Sequence, residues 1–216
     1  MTDFYTAVPG KAYRRGQIPL FMMHGYGSHE ADLFMLASDL PDIYYPVSLR
    51  GPLKLAWGGY GWFPLYWTPE GGWTYDKRQM LDTIKALEQW TDRWMQTHET
   101  GNIRPALLGF SQGGMMACAM LSRRPAHYGP VALLSTRRLE AVPLPERFPA
   151  EDRVFISHGI YDDVIPVDEA RQSVETCREA GLNIDYKEYP QGHYLCEENI
   201  RDLAAWLNEH EDTAWG

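Results

Sequence analysis

The sequence from Ala106 to Leu121 reads ALLGFSQGGMMACAML and combines two kinds of apolar pattern. Its first five residues form an apolar run with the length of a buried strand, and the residues after Gln112 are typical of a helix. Between them, Gly109–Gly113 fits the pattern G-x-S-x-G. The two glycines leave room where β-carbons would clash, so a tight turn can hold Ser111 exposed at the end of the strand. The stretch therefore predicts a strand–turn–helix unit with a serine nucleophile at the turn.

Short apolar runs and helical patterns alternate along the rest of the chain. The predicted strands are Ile18–Met23, Tyr44–Leu49, Ala106–Phe110, Pro130–Leu134, Val154–Ser157 and Ile184–Tyr189. The predicted helices are Tyr75–Thr97, Ser111–Arg123, Val167–Ala180 and Leu195–His210. Mostly unbroken apolar strands are typical of a parallel sheet covered on both faces, and their alternation with helices predicts an α/β fold. Two long stretches, Gly51–Gly72 and Arg137–Asp152, interrupt this alternation and are interpreted as loops.

The composition narrows the class of protein. The 216 residues are 44% hydrophobic and 23% charged, with a net charge of -9, which suits one globular domain over residues 1–216. The negative charge argues against a nucleic-acid partner, because binding to phosphates needs clustered Lys and Arg. No apolar run approaches the length of a membrane span, and the first residues lack the apolar stretch of a secretion signal. With three cysteines, no disulfide framework is expected and a cytoplasmic location is predicted.

A serine hydroxyl needs a base to become a nucleophile, and the base needs a carboxylate to orient it. Of the histidines after Ser111, we expect His193 to be the base, because it lies in a turn between the last predicted strand and the last predicted helix. Two adjacent carboxylates, Asp162 and Asp163, follow the preceding strand, and spacing alone does not choose between them. The alternatives are that His193 is an ordinary loop histidine and that Ser111 only caps its helix.

Acyl transfer also needs N–H groups that stabilise the negative oxygen of a tetrahedral intermediate. One is expected from the backbone of Gln112, directly after the serine. The other is expected from His24–Ser28, the loop after the first core strand, where the donor would be the backbone of Tyr26. Glycines in this loop allow the backbone to aim N–H groups at an anion, although a plain turn at a strand end is the alternative.

The chain resembles the carboxylesterase, acyl-protein thioesterase and lysophospholipase family of α/β-hydrolases. The resemblance rests on MMHGYGSHEADL, Arg50-Gly51-Pro52, Trp62-Phe63, LLGFSQGG, SHGIYDDVIP and YPQGHYLCEE, in this order over nearly the whole chain. It implies a single-domain α/β-hydrolase fold with a mostly parallel central sheet flanked by helices. It also implies that Ser111 is the nucleophile, His193 the base and Asp162 the acid. The backbone N–H groups of Tyr26 and Gln112 then match the oxyanion donors.

The resemblance further implies where a substrate pocket lies. In similar proteins the loop that matches Trp57–Trp73 helps to line the pocket, so we expect an aromatic lining from Trp57, Tyr60, Trp62 and Phe63. Such a lining suits a small apolar ester. After the PVALL strand, members of the family often continue Ser-Gly, but this chain reads Ser135–Arg138. This departure leaves the shape and the charge of the nearby groove open.

Together these expectations describe a serine esterase that cleaves small carboxylic esters or thioesters through an acyl-enzyme, most simply a carboxylesterase. An acyl-protein thioesterase, a lysophospholipase and a catalytically silent binding protein with the same fold are the alternatives. No metal and no cofactor are expected, because no Cys/His/carboxylate spacing completes a metal site and no glycine-rich phosphate loop opens a helix. The expected partner is the small-molecule substrate, and the oligomeric state, a homodimer included, stays open.

Overall fold

The computed structural model describes residues 4–69 and 72–215, and strands alternate with helices along them. The strands are β1 (Thr6–Ala7), β2 (Ile18–Met23), β3 (Tyr44–Leu49), β4 (Leu53–Lys54), β5 (Tyr60–Gly61), β6 (Leu65–Trp67), β7 (Trp73–Tyr75), β8 (Ala106–Phe110), β9 (Val131–Leu134), β10 (Arg153–Gly159) and β11 (Asn183–Tyr189). The helices are α1 (Glu30–Phe34), α2 (Lys77–Thr97), α3 (Gln112–Arg123), α4 (Val167–Glu179) and α5 (Glu197–Glu209). Short 3₁₀ turns at Met35–Ser38 and Glu211–Ala214 follow α1 and α5.

A seven-stranded sheet lies at the centre of the described residues. Its strand order is β1-β3-β2-β8-β9-β10-β11. Only β1 runs antiparallel to its neighbour, and every other pair in this sheet is parallel. The inner strands β2, β3 and β9 are buried along their whole length, whereas the edge strand β11 alternates between buried and more exposed residues. The mostly parallel sheet predicted from the unbroken apolar runs is confirmed.

Helices cover both faces of this sheet. Met80 of α2, Met116 of α3 and Val174 of α4 belong to one apolar cluster. Leu33 of α1 and Leu203 of α5 belong to a second cluster, and alternate residues of β2 are shared out between the two. The helix α3 is buried nearly all round, which explains why its sequence is apolar without a polar face.

The six predicted core strands and the four predicted long helices lie within two residues of the observed ones. The interpretation of Gly51–Gly72 as a loop is wrong in part, because the structure forms two short antiparallel pairs there, β4 with β5 and β6 with β7. Strands of two or three residues are too short to show a period of two in the sequence, and β1 was not predicted for this reason. Helix α1 was not predicted because its five residues are too few to show a helical period. The stretch Arg137–Asp152 contains no helix or strand, as predicted.

Strand β8 and helix α3 approach each other closely where the chain turns between them. A Cβ atom added at Gly109 would lie 2.3 Å from the carbonyl oxygen of Gly113. Because both partners would be main-chain or Cβ atoms, no side-chain rotation could relieve this contact. The glycine at this position therefore fixes how the helix leaves the strand.

We expect Gly109→Ala to lower the free energy of unfolding by about 1–3 kcal/mol or more, since overpacking against backbone forces the strand and helix apart. Urea unfolding followed by tryptophan fluorescence measures the change. Gly10→Ala is the matched control, because Gly10 is exposed and no atom lies within 4 Å of the added Cβ. Equal unfolding midpoints for the two variants would show that the close approach does not constrain the fold.

Candidate active site

The turn between β8 and α3 holds Ser111 in a conformation that few non-glycine residues adopt. Its φ is 53° and its ψ is -119°. Its N–H donates to Leu134 O at 2.9 Å, and its carbonyl accepts from Thr136 Oγ1 at 2.7 Å. A Cβ at Gly113 would lie 1.9 Å from Met23 O, so glycine is required there for the helix to start against β2. The Ser111 hydroxyl forms no capping hydrogen bond with the start of α3.

His193 contacts this hydroxyl from the loop between β11 and α5. Its Nε2 lies 2.9 Å from Ser111 Oγ, and its Nδ1 lies 2.7 Å from Asp162 Oδ2. Since a carboxylate only accepts hydrogen bonds, Nδ1 carries the proton and Nε2 is free to accept from the serine. The ring of Phe110 packs against the imidazole with centroids 5.0 Å apart and limits its rotation.

The structure distinguishes the two adjacent carboxylates. Asp162 points inward with a fully buried side chain, while Asp163 is exposed and makes no contact with His193. The second oxygen of Asp162, Oδ1, accepts from the N–H groups of Val164 and Ile165, both at 2.9 Å. Burial alone would raise the pKa of Asp162, but these bonds and the one from His193 outweigh it and hold the pKa below its usual value.

His158 also lies against this carboxylate, at the end of β10. Its Nε2 donates to Ile165 O at 2.8 Å and lies 3.4 Å from Asp162 Oδ2. Burial lowers the pKa of His158 and keeps the ring neutral, so it adds no competing charge beside Asp162. We assigned no role to His158 from the sequence, but in the structure it ties the loop that carries Asp162 to the sheet.

The expected oxyanion donors flank the serine. A Cβ at Gly25 would lie 3.4 Å from Ser111 Cβ, so the loop containing Tyr26 sits directly against the turn. Gln112 is the first residue of α3, where N–H groups have no partner within the helix. Among the main-chain hydrogen bonds of the described residues, none uses the N–H of Tyr26 or of Gln112. Both donors are therefore available to an oxygen bound beside Ser111.

The aromatic lining predicted for the pocket needs correction. Trp62 and Phe63 are each 1% exposed and belong to the apolar core, not to a pocket wall. Tyr60 is half-buried and its hydroxyl accepts from Arg50. Only Trp57 of the four predicted residues lines the cavity beside Ser111. The direction of side chains in an irregular segment follows from its tertiary contacts, which the sequence does not reveal.

Trp62 and Phe63 are held by the side chain of Gln112, a role that the sequence did not suggest. Gln112 Oε1 accepts from Trp62 N at 2.8 Å, and Gln112 Nε2 donates to Phe63 O at 2.8 Å. The indole of Trp62 in turn donates to His24 O at 2.8 Å. The residue after the serine therefore anchors the aromatic segment to the turn through two hydrogen bonds.

A cavity of about 1310 Å³ opens beside Ser111 and His193. Its aromatic walls come from Trp57 and from the β6–β7 hairpin, which contributes Tyr66, Trp67 and Trp73. Two cations, Arg137 and Arg138, line it as well. Both belong to Ser135–Arg138, where the sequence departs from the family pattern. That departure was the feature of the sequence that pointed to a change in the charge of the cavity.

Within the described ranges, no group of three His, Cys, Asp or Glu side chains is arranged to hold a metal ion. Over the same residues, none of the helices has the length and apolar character that a membrane span requires.

Comparisons with known proteins agree with this architecture. The Phospholipase/Carboxylesterase family matches residues 10–211. Acyl-protein thioesterase 1 of Mycosarcoma maydis is 27% identical, over 88% of this chain and 90% of its own length. A probable carboxylesterase of Oryza sativa subsp. japonica is 25% identical, over 77% of this chain and 65% of its own. The crystal structure of a Bacillus cereus carboxylesterase superposes with a TM-score of 0.83 at 20% identity, over 96% of this chain and 94% of that one.

These findings confirm the resemblance seen in the sequence, the predicted α/β-hydrolase fold and the predicted class of carboxylic ester hydrolase. The residues matched by the family include Ser111, Asp162 and His193. The chain belongs to the phospholipase/carboxylesterase family of α/β-hydrolases.

Proposed function

We propose that this protein is a serine esterase that cleaves small carboxylic esters or thioesters, with Ser111 as nucleophile, His193 as base and Asp162 as acid. One observation carries the proposal: the imidazole of His193 bridges Ser111 Oγ at 2.9 Å and Asp162 Oδ2 at 2.7 Å. These three side chains come from separate loops at the carboxyl ends of β8, β10 and β11. Ligands of open α/β sheets bind at this edge.

The proposed reaction proceeds in two acyl transfers. His193 takes the proton of Ser111 Oγ as that oxygen attacks the ester carbonyl, and the carbonyl oxygen becomes an anion. The backbone N–H groups of Tyr26 and Gln112 bind this anion. His193 then gives its proton to the leaving alcohol or thiol, and a water molecule repeats the steps on the acyl-enzyme to release the acid. Asp162 stays ionised throughout and stabilises the imidazolium.

A second candidate is an acyl-protein thioesterase or a lysophospholipase, and the size of the cavity favours it. About 1310 Å³ exceeds the roughly 300–1000 Å³ of common small-ligand pockets, so a longer acyl chain would find room. In either case the three free cysteines Cys118, Cys177 and Cys196 suit the proposed cytoplasmic location, where thiols stay reduced. A catalytically silent binding protein is the remaining alternative.

Acyl-chain length separates the two enzyme candidates. We expect kcat/KM for 4-nitrophenyl esters and matched thioesters to be highest for short acyl chains and to fall for longer ones. The reason is that the aromatic walls contact a small acyl group more closely than a long, flexible one. Steady-state kinetics on a series from acetyl to palmitoyl measures this. A value that keeps rising to the long chains would select the second candidate.

Replacement of the serine tests the nucleophile. We expect Ser111→Ala to abolish labelling by a fluorophosphonate probe and to lower kcat by about 10⁶, since no other group can form the acyl-enzyme. Ser173→Ala is the matched control, because Ser173 lines the same cavity but does not contact His193, and it should keep the label. Labelling that survives in Ser111→Ala would reject the assignment, and absence of any ester hydrolysis by the native chain would leave the silent binding protein.

The two adjacent carboxylates provide a second test with its own control. Asp162→Asn should lower kcat by about 10⁴, because the amide no longer holds the productive tautomer of His193. Asp163→Asn should change kcat by less than about twofold, since Asp163 is exposed and does not contact the imidazole. Steady-state kinetics on both variants checks this, and the reverse ranking would move the acid by one position.

A further inference from the structure

Two neighbouring cations line the cavity beside Ser111, and they differ in how their charge is balanced. Arg137 Nε lies 2.9 Å from Glu169 Oε2, and its guanidinium stacks over the ring of Trp73 at 4.4 Å from the ring centroid. Arg137 therefore has a carboxylate and an aromatic partner within the protein. Through these two contacts Arg137 links α4 to the β6–β7 hairpin, and its charge is balanced by Glu169.

Arg138 has no such partner. Over residues 4–69 and 72–215, no carboxylate forms an ion pair with its guanidinium. Its Nε is buried without a hydrogen-bond partner. The hydrogen bond that its side chain forms is a long one, from Nη2 to Val142 O at 3.4 Å. A buried guanidinium N–H left without a hydrogen-bond partner costs free energy that a bound anion would recover.

The position of Arg138 is fixed relative to the proposed nucleophile. Its backbone N–H donates to Ser173 Oγ at 3.1 Å, and the segment before it is joined to the serine turn through Thr136 Oγ1, which donates to Ser111 O. Arg138 thus lines the same cavity from a wall that is attached directly to the turn. Ser111 and Arg138 therefore border the same cavity.

The other charges of the cavity do not cancel that of Arg138. Glu169 is occupied by Arg137. Glu140 and Asp163 line the cavity but are exposed, so water and salt screen them. One unpaired guanidinium in an aromatic-walled cavity matches one negative charge, and a carboxylate fits its planar pair of donors.

We propose that Arg138 is an anion-binding residue of this cavity and that the substrates are esters or thioesters that carry a carboxylate. This inference rests on the proposed function and narrows its substrate class. The aromatic walls hold the apolar part of the substrate, Ser111 attacks its ester carbonyl, and Arg138 binds its carboxylate.

A pair of matched esters tests the proposal on the native chain and its variants. The anionic member is the mono(4-nitrophenyl) ester of adipic acid, and the neutral member is the same molecule with its free acid methylated. We expect the native protein to favour the anionic ester, and we expect Arg138→Gln to lower the anionic-to-neutral ratio of kcat/KM by about 10- to 100-fold, mainly through KM. Arg138→Lys should keep part of the preference, because it retains the charge without the planar fork.

Arg78→Gln is the matched control, because Arg78 is exposed, pairs with Asp82 and does not line the cavity. It removes one cation elsewhere on the protein, so the ratio should stay within about threefold of the native value. An unchanged ratio in Arg138→Gln, or a native preference for an ester with a trimethylammonium group in place of the carboxylate, would overturn the proposal. The first of these results would leave Ser111-dependent hydrolysis, and with it the proposed function, intact.

A binding measurement separates the two proposals further. Isothermal calorimetry of monomethyl adipate with the Ser111→Ala protein should show binding that Arg138→Gln weakens by about 10- to 100-fold at low salt. Circular dichroism checks that both variants are folded. Binding that depends on Arg138 would support the anion site even if no ester were hydrolysed, whereas equal binding by both proteins would reject it.

Discussion

The left-handed backbone of Ser111 is the constraint on which the rest of the site depends. Such a φ costs a non-glycine residue about 1–3 kcal/mol, and the fold must hold it in place. The bond to Leu134 O and the bond from Thr136 Oγ1 do so from the neighbouring strand β9 and the loop after it. Because β8 lies between β2 and β9 in the centre of the sheet, the turn has no freedom to relax into a regular helix start.

A buried carboxylate is stable here because its hydrogen bonds replace water. Oδ1 of Asp162 accepts two backbone N–H groups, and Oδ2 accepts from His193 with neutral His158 beside it. The loop from Gly159 to Ile165 is thereby closed around its own acid, since His158 also holds Ile165 O. The Asp162 carboxylate therefore stays ionised and contacts Nδ1 of His193, which suits a group that balances the charge of an imidazolium.

The sequence predicted the parts of the fold that follow from periodicity. The parallel strands and long helices were predicted because buried strands form apolar runs of four or more residues and amphipathic helices repeat over longer stretches. It chose Asp162 over Asp163 only through the family resemblance, because both carboxylates suit the spacing equally. The prediction for Trp62 and Phe63 was wrong, since nothing in an irregular aromatic segment indicates that both side chains pack in the core while Gln112 holds their backbone. Arg138 was marked only as a departure from the family pattern.

The two hydrogen bonds from Gln112 divide the aromatic segment into halves with different freedom to change. The half that ends at Phe63 is hydrogen-bonded to the first residue of α3, directly after Ser111, so substitutions there would disturb the serine turn. The β6–β7 hairpin beyond it bears Tyr66, Trp67 and Trp73 on the cavity wall, and its described residues form no hydrogen bond to α3. Replacing this hairpin, by engineering or in evolution, would therefore change which substrates are selected while leaving the serine turn unchanged.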